Sequence, residues 1–217
     1  MKTVALIVAG GKGKRMQSKI PKQFLLLHEL PILMRTVNVF SHLEEVILVL
    51  PKAHFNYWKK LCKKHNFNKK HTLIEGGENR FYSVKNGLAK IDDDSIIIIH
   101  DGVRPLVSKK LIDHLIEKTE KGVGVIPVLP ITNSIRKVEG GLSKHINRQN
   151  LYQVQTPQCF LSSDIKPAYK QKYLTHFTDD SSVFEYGGYK IKTILGEQKN
   201  LKITSKEDLK IAHVFMQ

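Results

Sequence analysis

Ser95-Ile96-Ile97-Ile98-Ile99-His100, running straight into Asp101-Gly102-Val103-Arg104-Pro105, is the stretch that decides the fold. Four successive isoleucines are the strongest buried-strand signal in the chain, and the loop that follows marks the strand's carboxyl end. Moving outward, apolar runs alternate with helical spacing. Thr3 to Ala9 is a short apolar run ending in glycine and reads as a buried strand. Pro31 to Phe40 places Ile32, Leu33, Val37 and Phe40 at helical intervals. Val46 to Leu50 is the next strand, closed by Pro51, then Asn56 to His65 a helix and His71 to Ile74 a strand. Asn79 to Lys90 reads as a helix with Val84 and Leu88 on one face, Lys109 to Glu120 as a helix, and Gly124 to Val128 as a strand. Such alternation predicts an α/β fold with a mainly parallel sheet and helices on both faces. Ligands in such sheets bind beyond the carboxyl ends of the strands. Gly10–Gly13 and Asp101–Pro105 both follow apolar strands, so the site is expected where these loops converge.

Ile131 to Phe160 breaks the alternation. Gly140-Gly141 reads as a turn between Ser134–Val138 and Leu142–Ile146, which predicts a protruding β-hairpin arm inserted at about 131–160. Beyond it come a helix at Thr178 to Tyr186, capped by Thr178 or Asp179, and a strand at Lys190 to Leu195. A turn at Gly196, a strand at Leu201 to Ile203 and a helix at Ser205 to Phe215 finish the chain. Ser205 and Asp208 form a capping-box pattern. Residues 1–217 are expected to form a single domain carrying the arm.

Composition narrows the function. No apolar run approaches the roughly 18 residues of a membrane helix, and the N-terminus reads as a first strand rather than a secretion signal. Cys62 and Cys159 make neither a disulfide framework nor a zinc pair, so a cytoplasmic setting is expected. The net charge of +15 at pH 7 leaves two readings, nucleic-acid binding or the handling of small polyanions. The densest basic stretch, Lys59-Lys60-Leu61-Cys62-Lys63-Lys64 with Lys69-Lys70, reads as the solvated face of a helix and carries no stacking-aromatic motif. The second reading is therefore preferred.

Ala9-Gly10-Gly11-Lys12-Gly13-Lys14-Arg15-Met16 lets a backbone approach phosphate closely, with Lys12, Lys14 and Arg15 adding charge. It is neither GxxxxGK[ST] nor GxGxxG; alone it could be a plain strand-to-helix turn. Pro21-Lys22-Gln23 follows, and the combination resembles the nucleotidyltransferases that activate sugars and polyols. Gly76-Gly77-Glu78-Asn79-Arg80 with Ser83-Val84, the His100–Pro105 loop, Thr156-Pro157-Gln158, Thr178-Asp179-Asp180-Ser181-Ser182 and Asn200-Leu201-Lys202-Ile203-Thr204 occur in order along the chain. Together they resemble the 2-C-methyl-D-erythritol 4-phosphate cytidylyltransferase family over nearly its whole length. Ribitol-5-phosphate cytidylyltransferases are the close alternative.

That resemblance implies a Rossmann-like three-layer fold and transfer of a cytidylyl group from CTP to the polyol phosphate, in the non-mevalonate route to isoprenoid precursors. It assigns Arg15, Lys22 and Lys202 to catalysis and Ala9, Gly10, Gly11, Gly13 and Gly102 to the nucleotide. Glu78, Arg80 and Ser83 would shape the cytosine pocket. Arg104, Ser134, Arg148, Thr156 and Thr178 would hold the polyol phosphate, and Asp101 would hold Mg²⁺. Read as residues alone, Arg15, Lys22 and Lys202 could be surface charges, Asp101 a turn residue and Ser83 a packing residue. The arm and the Arg104 loop would reach a neighbouring subunit, implying a homodimer; neither nucleic acid nor membrane is expected as a partner. Chemically this is coherent: a phosphate monoester is already a nucleophilic anion, so catalysis rests on positioning and positive charge. The chain departs from the family at Gly10 and Gly102, where Ala is usual, which is expected to have little effect. It departs further at Glu78, where Asp is common, and in the arm at Asn133, Ser134 and Asn147.

Overall fold

The computed structural model describes residues 1–11, 14–16, 18 and 20–216. Its strands are β1 (Lys2–Val8), β2 (Leu26–Leu27), β3 (Leu30–Pro31), β4 (Glu45–Leu50), β5 (Thr72–Glu75), β6 (Ser95–Asp101), β7 (Val123–Pro130), β8 (Ile135–Glu139), β9 (Leu142–Ile146), β10 (Tyr152–Val154), β11 (Gln158–Leu161) and β12 (Lys190–Leu195). Its α-helices are α1 (Ile32–Phe40), α2 (Phe55–Lys64), α3 (Arg80–Leu88), α4 (Lys109–Glu117), α5 (Ser162–Ala168), α6 (Asp180–Tyr186) and α7 (Lys206–Val214).

An eight-stranded sheet runs in the order β10-β7-β11-β6-β1-β4-β5, with β12 also paired to β7. β1 lies parallel between β6 and β4, with Leu6 beside both Ile99 and Ile47. Strand side chains alternate between faces, and both faces here are apolar because both are covered. Ala5, Ile7, Leu48 and Ile98 pack with Leu33 and Val37 of α1, Trp58 of α2 and Leu111 and Leu115 of α4. Val4, Leu6, Ile47 and Ile97 pack with Val84 of α3, Ile165 of α5 and Phe184 of α6 on the other face. The fold is thus the expected three-layer α/β arrangement. Lysines 59, 60, 63 and 64 are exposed on α2, whose buried contact is Trp58.

Three expectations change. The projecting hairpin is β8–β9, turning at Gly140 (φ 57°) and Gly141 (φ 83°). The segment after it returns to the sheet earlier than residue 160. β10 pairs with β7, and β11 inserts antiparallel between β7 and β6 with Gln158, Cys159 and Phe160 buried. Strands of three and four residues flanking Pro157 leave no readable period. Leu201–Ile203 is not a strand: Ile203 N–H donates to the Val103 carbonyl at 2.9 Å, and its side chain packs with Leu27, Ile32 and Ala212. An apolar pair can be buried against a loop as well as in a ladder. Finally, α5 is an element that the sequence reading lacks; of the two candidate caps of α6, Asp179 takes the position, accepting from Ser182 N–H.

Candidate active site

A cleft of about 510 Å³ opens at the carboxyl ends of β1, β5 and β6. Ala9, Gly10, Gly11 and Arg15 form one wall, Glu78, Arg80 and Ser83 another, and Lys22, Asp101 and Lys202 the floor between them. Gly13, like Lys12, lies outside the described residues. Gln23, Asn79 and Thr204 also line the cleft, each one or two residues from Lys22, Arg80 or Lys202.

The wall after β5 is built by glycine and capping. A Cβ on Gly77 would stand 2.3 Å from Tyr82 Cβ, so only glycine allows this turn. Asn79 caps α3 by accepting from Tyr82 N–H at 3.1 Å. The Ser83 hydroxyl donates to Asn79 O at 2.8 Å and accepts from Gly77 N–H at 3.1 Å, so it sets the loop's shape. Gly102 is buried and does not line the cleft. Its N–H donates to Val8 O at 2.9 Å, and an added Cβ would lie 2.7 Å from Ala9 Cβ and 2.9 Å from Leu33 Cδ1. Gly for Ala at this position is therefore not neutral: it permits the close approach of the β1 and β6 ends.

Asp101 gathers the cations. Its Oδ2 lies 2.9 Å from Lys202 Nζ and 3.5 Å from Arg104 Nε, and its Oδ1 3.6 Å from Arg80 Nε. Burial opposes ionisation of Asp101, but Arg80, Lys202 and Arg104 outweigh it and hold the carboxyl well below its ordinary range. Lys22 is itself buried; desolvation first, and then the like charge of Lys202, lower its pKa. Three cations on one carboxylate, with Lys22 and Arg15 nearby, leave excess positive charge for an anionic ligand. Behind this cluster His100 is fully buried, and burial pushes its pKa down to about 3. Neutral His100 fits its contacts: Nε2 meets Arg104 O at 3.0 Å and Nδ1 meets Thr156 Oγ1 at 3.1 Å.

A second cleft of about 390 Å³ adjoins the first and shares Arg80, Asp101 and Lys202 with it. Arg104, Thr156 and Thr178 line it. Arg104 donates to Asn200 O at 2.7 Å and lines its own chain's smaller cleft. The Thr156 hydroxyl also accepts from Asp101 N–H at 3.0 Å, so it holds the Asp101 loop in place. Ser134 and Arg148 lie exposed on the arm, outside both clefts; Arg148 Nη1 donates to the Thr132 carbonyl. Arg80 carries an unforeseen bond: its Nη1 and Nη2 reach Asp180 Oδ1 and Oδ2 at 2.7 and 2.6 Å. Gln158 donates to Asp179 at 2.8 Å and accepts from Ser181 N–H at 2.9 Å. The motifs therefore lock onto one another.

Among the described residues no three His, Cys, Asp or Glu side chains converge on a metal position. Mg²⁺ commonly keeps several waters and takes one or two carboxylates plus substrate phosphates. Asp101, whose oxygens already face Arg80, Arg104 and Lys202, does not make a complete protein cage.

The family model for 2-C-methyl-D-erythritol 4-phosphate cytidylyltransferase matches residues 3–217. The enzyme of that name from Azobacteroides pseudotrichonymphae is 45% identical, covering 97% of this chain and 97% of its own. That from Bacteroides fragilis is 43% identical, covering 98% of each. The solved structure of the Francisella tularensis 2-C-methyl-D-erythritol 4-phosphate cytidylyltransferase superimposes with a TM-score of 0.84 at 27% identity over 99% of each chain. Motif order, cationic cleft and full-length similarity agree: this chain belongs to the 2-C-methyl-D-erythritol 4-phosphate cytidylyltransferase family.

Proposed function

We propose that this chain transfers the cytidylyl group of CTP to 2-C-methyl-D-erythritol 4-phosphate, forming 4-CDP-2-C-methyl-D-erythritol and pyrophosphate. The observation that carries this reading is the pair of adjoining clefts with Arg80, Asp101 and Lys202 common to both. CTP occupies the larger cleft. The Gly10–Gly11 backbone faces the triphosphate, and the Gly77–Ser83 wall shapes the space for cytosine. The polyol phosphate enters the smaller cleft beside Arg104, Thr156 and Thr178. A phosphate oxygen of the polyol attacks the α-phosphorus, the bond to the bridging oxygen breaks, and pyrophosphate leaves with that electron pair. Arg15, Lys22 and Lys202 stabilise the five-coordinate phosphorus, and no base is required because the nucleophile is already ionised. Mg²⁺, when bound, offsets charge on the phosphate oxygens, with Asp101 as the side chain that would hold it.

Ser134 and Arg148 act in the smaller cleft of a partner in a homodimer. Support comes from the arm and the adjoining strands, where Val138, Leu142, Tyr152 and Val154 are exposed large apolar residues. A cytoplasmic setting fits Cys62 and Cys159, both free thiols, and no helix among the described residues is long and apolar enough to cross a membrane. The names of the similar proteins favour methylerythritol phosphate over ribitol 5-phosphate. Incubating the purified chain with CTP, Mg²⁺ and each polyol phosphate tests the assignment. Pyrophosphate should appear with methylerythritol phosphate; release with ribitol 5-phosphate alone would overturn the polyol assignment.

A further inference from the structure

Arg80 borders both clefts, yet its guanidinium is already committed. Both terminal nitrogens donate to Asp180, and Nε is left beside Asp101. Asp180 is wholly buried in the first turn of α6. Its Oδ1 takes a third bond, from the Tyr169 hydroxyl at 2.6 Å. Tyr169 lies just beyond α5, is 2% exposed, and stacks on Phe81, the residue after Arg80, with ring centroids 4.8 Å apart. Asp101 and Asp180, far apart in sequence, thus meet on one guanidinium, and Tyr169 backs Asp180.

Stability alone is a poor reason for this arrangement. Asp180 is wholly buried and Arg80 only half-buried, so the carboxylate loses solvation that the attraction does not reliably return. What a two-point fork does supply is a fixed orientation. The Tyr169 hydroxyl occupies a lone pair of Asp180 that would otherwise be free to draw the guanidinium elsewhere.

We propose that Tyr169 and Asp180 are positioning residues for the nucleotide, holding Arg80 as a rigid partition between the two clefts before CTP arrives. The inference rests on the assignment of the larger cleft to CTP. Its consequence is that the hydroxyl of Tyr169, which does not line either cleft, controls CTP affinity through Arg80.

Tyr169→Phe is the decisive variant, since it deletes one oxygen and keeps the ring on Phe81. Calorimetry with CTP and steady-state kinetics should give a dissociation constant and a CTP KM raised roughly five-fold, as for a lost charge-assisted hydrogen bond acting indirectly. The kcat should change by less than about two-fold and the thermal midpoint by only a few degrees. Arg80→Lys keeps the charge but loses the fork. In that background Tyr169→Phe should produce no further change, because its route of action is gone. Unchanged CTP affinity in Tyr169→Phe, or effects that multiply in the double variant, would overturn the proposal. Wild-type protein that binds no CTP would sink the nucleotide assignment itself, a result distinct from intact binding that ignores Tyr169.

Discussion

Lys202 Nζ stands 2.9 Å from Asp101 Oδ2 and closes, from near the end of the chain, a ring of cations begun by Arg80 and Arg104. The two partners should respond differently to substitution. Lys202→Ala leaves Asp101 two guanidinium neighbours, so the urea midpoint should barely move while pyrophosphate release falls by about 10²-fold or more. Asp101→Asn takes the carboxylate from Lys202 and Arg104, while Arg80 keeps Asp180, and should cost about 1–3 kcal/mol of stability as well as activity. Parallel losses of stability in both variants would contradict the asymmetry.

Lys22 titrates early because it is buried beside Lys202. In the free enzyme its folded pKa lies below the ordinary value of 10.5, so its charge is lost sooner as pH rises. The alkaline limb of kcat/KM should therefore fall below pH 10.5. Lys22→Arg should push that limb beyond the accessible range, and Lys22→Ala should nearly abolish turnover with the fold intact. A limb that stays put in Lys22→Arg would remove Lys22 from the profile.

His100 makes the fold acid-sensitive. Its folded pKa of about 3 lies below the ordinary 6.5, so unfolded chains bind the proton first. The stability contributed by the neutral ring is complete above pH 6.5 and declines as pH falls towards 3. The slope from this one group is about 1.4 kcal/mol per pH unit. Urea titrations between about pH 4.5 and 6 should show His100→Asn with a shallower dependence by about that amount. Equal slopes would mean that His100 does not enter folding uncharged.

At Gly102 a methyl group meets Ala9 Cβ at 2.7 Å. Gly102→Ala should lower stability by about 1–3 kcal/mol through overpacking and raise the KM for CTP, since the displaced neighbour opens the glycine loop. Wild-type values for both would show that the strand ends part without cost.

The arm predicts an oligomer-dependent substrate effect. Leu142 is 81% exposed and Val138 65%. Replacing both by Asp should yield a monomer in sedimentation, with KM for the polyol phosphate rising far more than KM for CTP. Arg148→Ala should reproduce the KM change without dissociation. A monomer with unaltered kinetics would show that Arg148 acts at neither cleft.

Much of the fold was legible because period is a local property. Ile97 and Ile99 face one layer and Ile98 the other, which is why the four-isoleucine run reads as buried on both sides. The loops carrying Gly10 and Asp101 follow such runs, so the cleft's position came with the alternation. Tyr152–Leu161 was not legible: its two strands are too short to show a period, and their place in the sheet comes from pairing with β6 and β7.

The amino-acid order determined the strongly periodic strands and helices, which loops hold phosphate-compatible glycines, and which cations the chain brings. Only the tertiary structure decided how those charges are spent. Arg80 belongs to Asp180, the Thr156 hydroxyl to His100 and Asp101, and Arg104 to its own chain's cleft. Those pairings join residues far apart in sequence and depend on sheet register and helix packing, and contacts of that kind leave no periodic trace in a one-dimensional string.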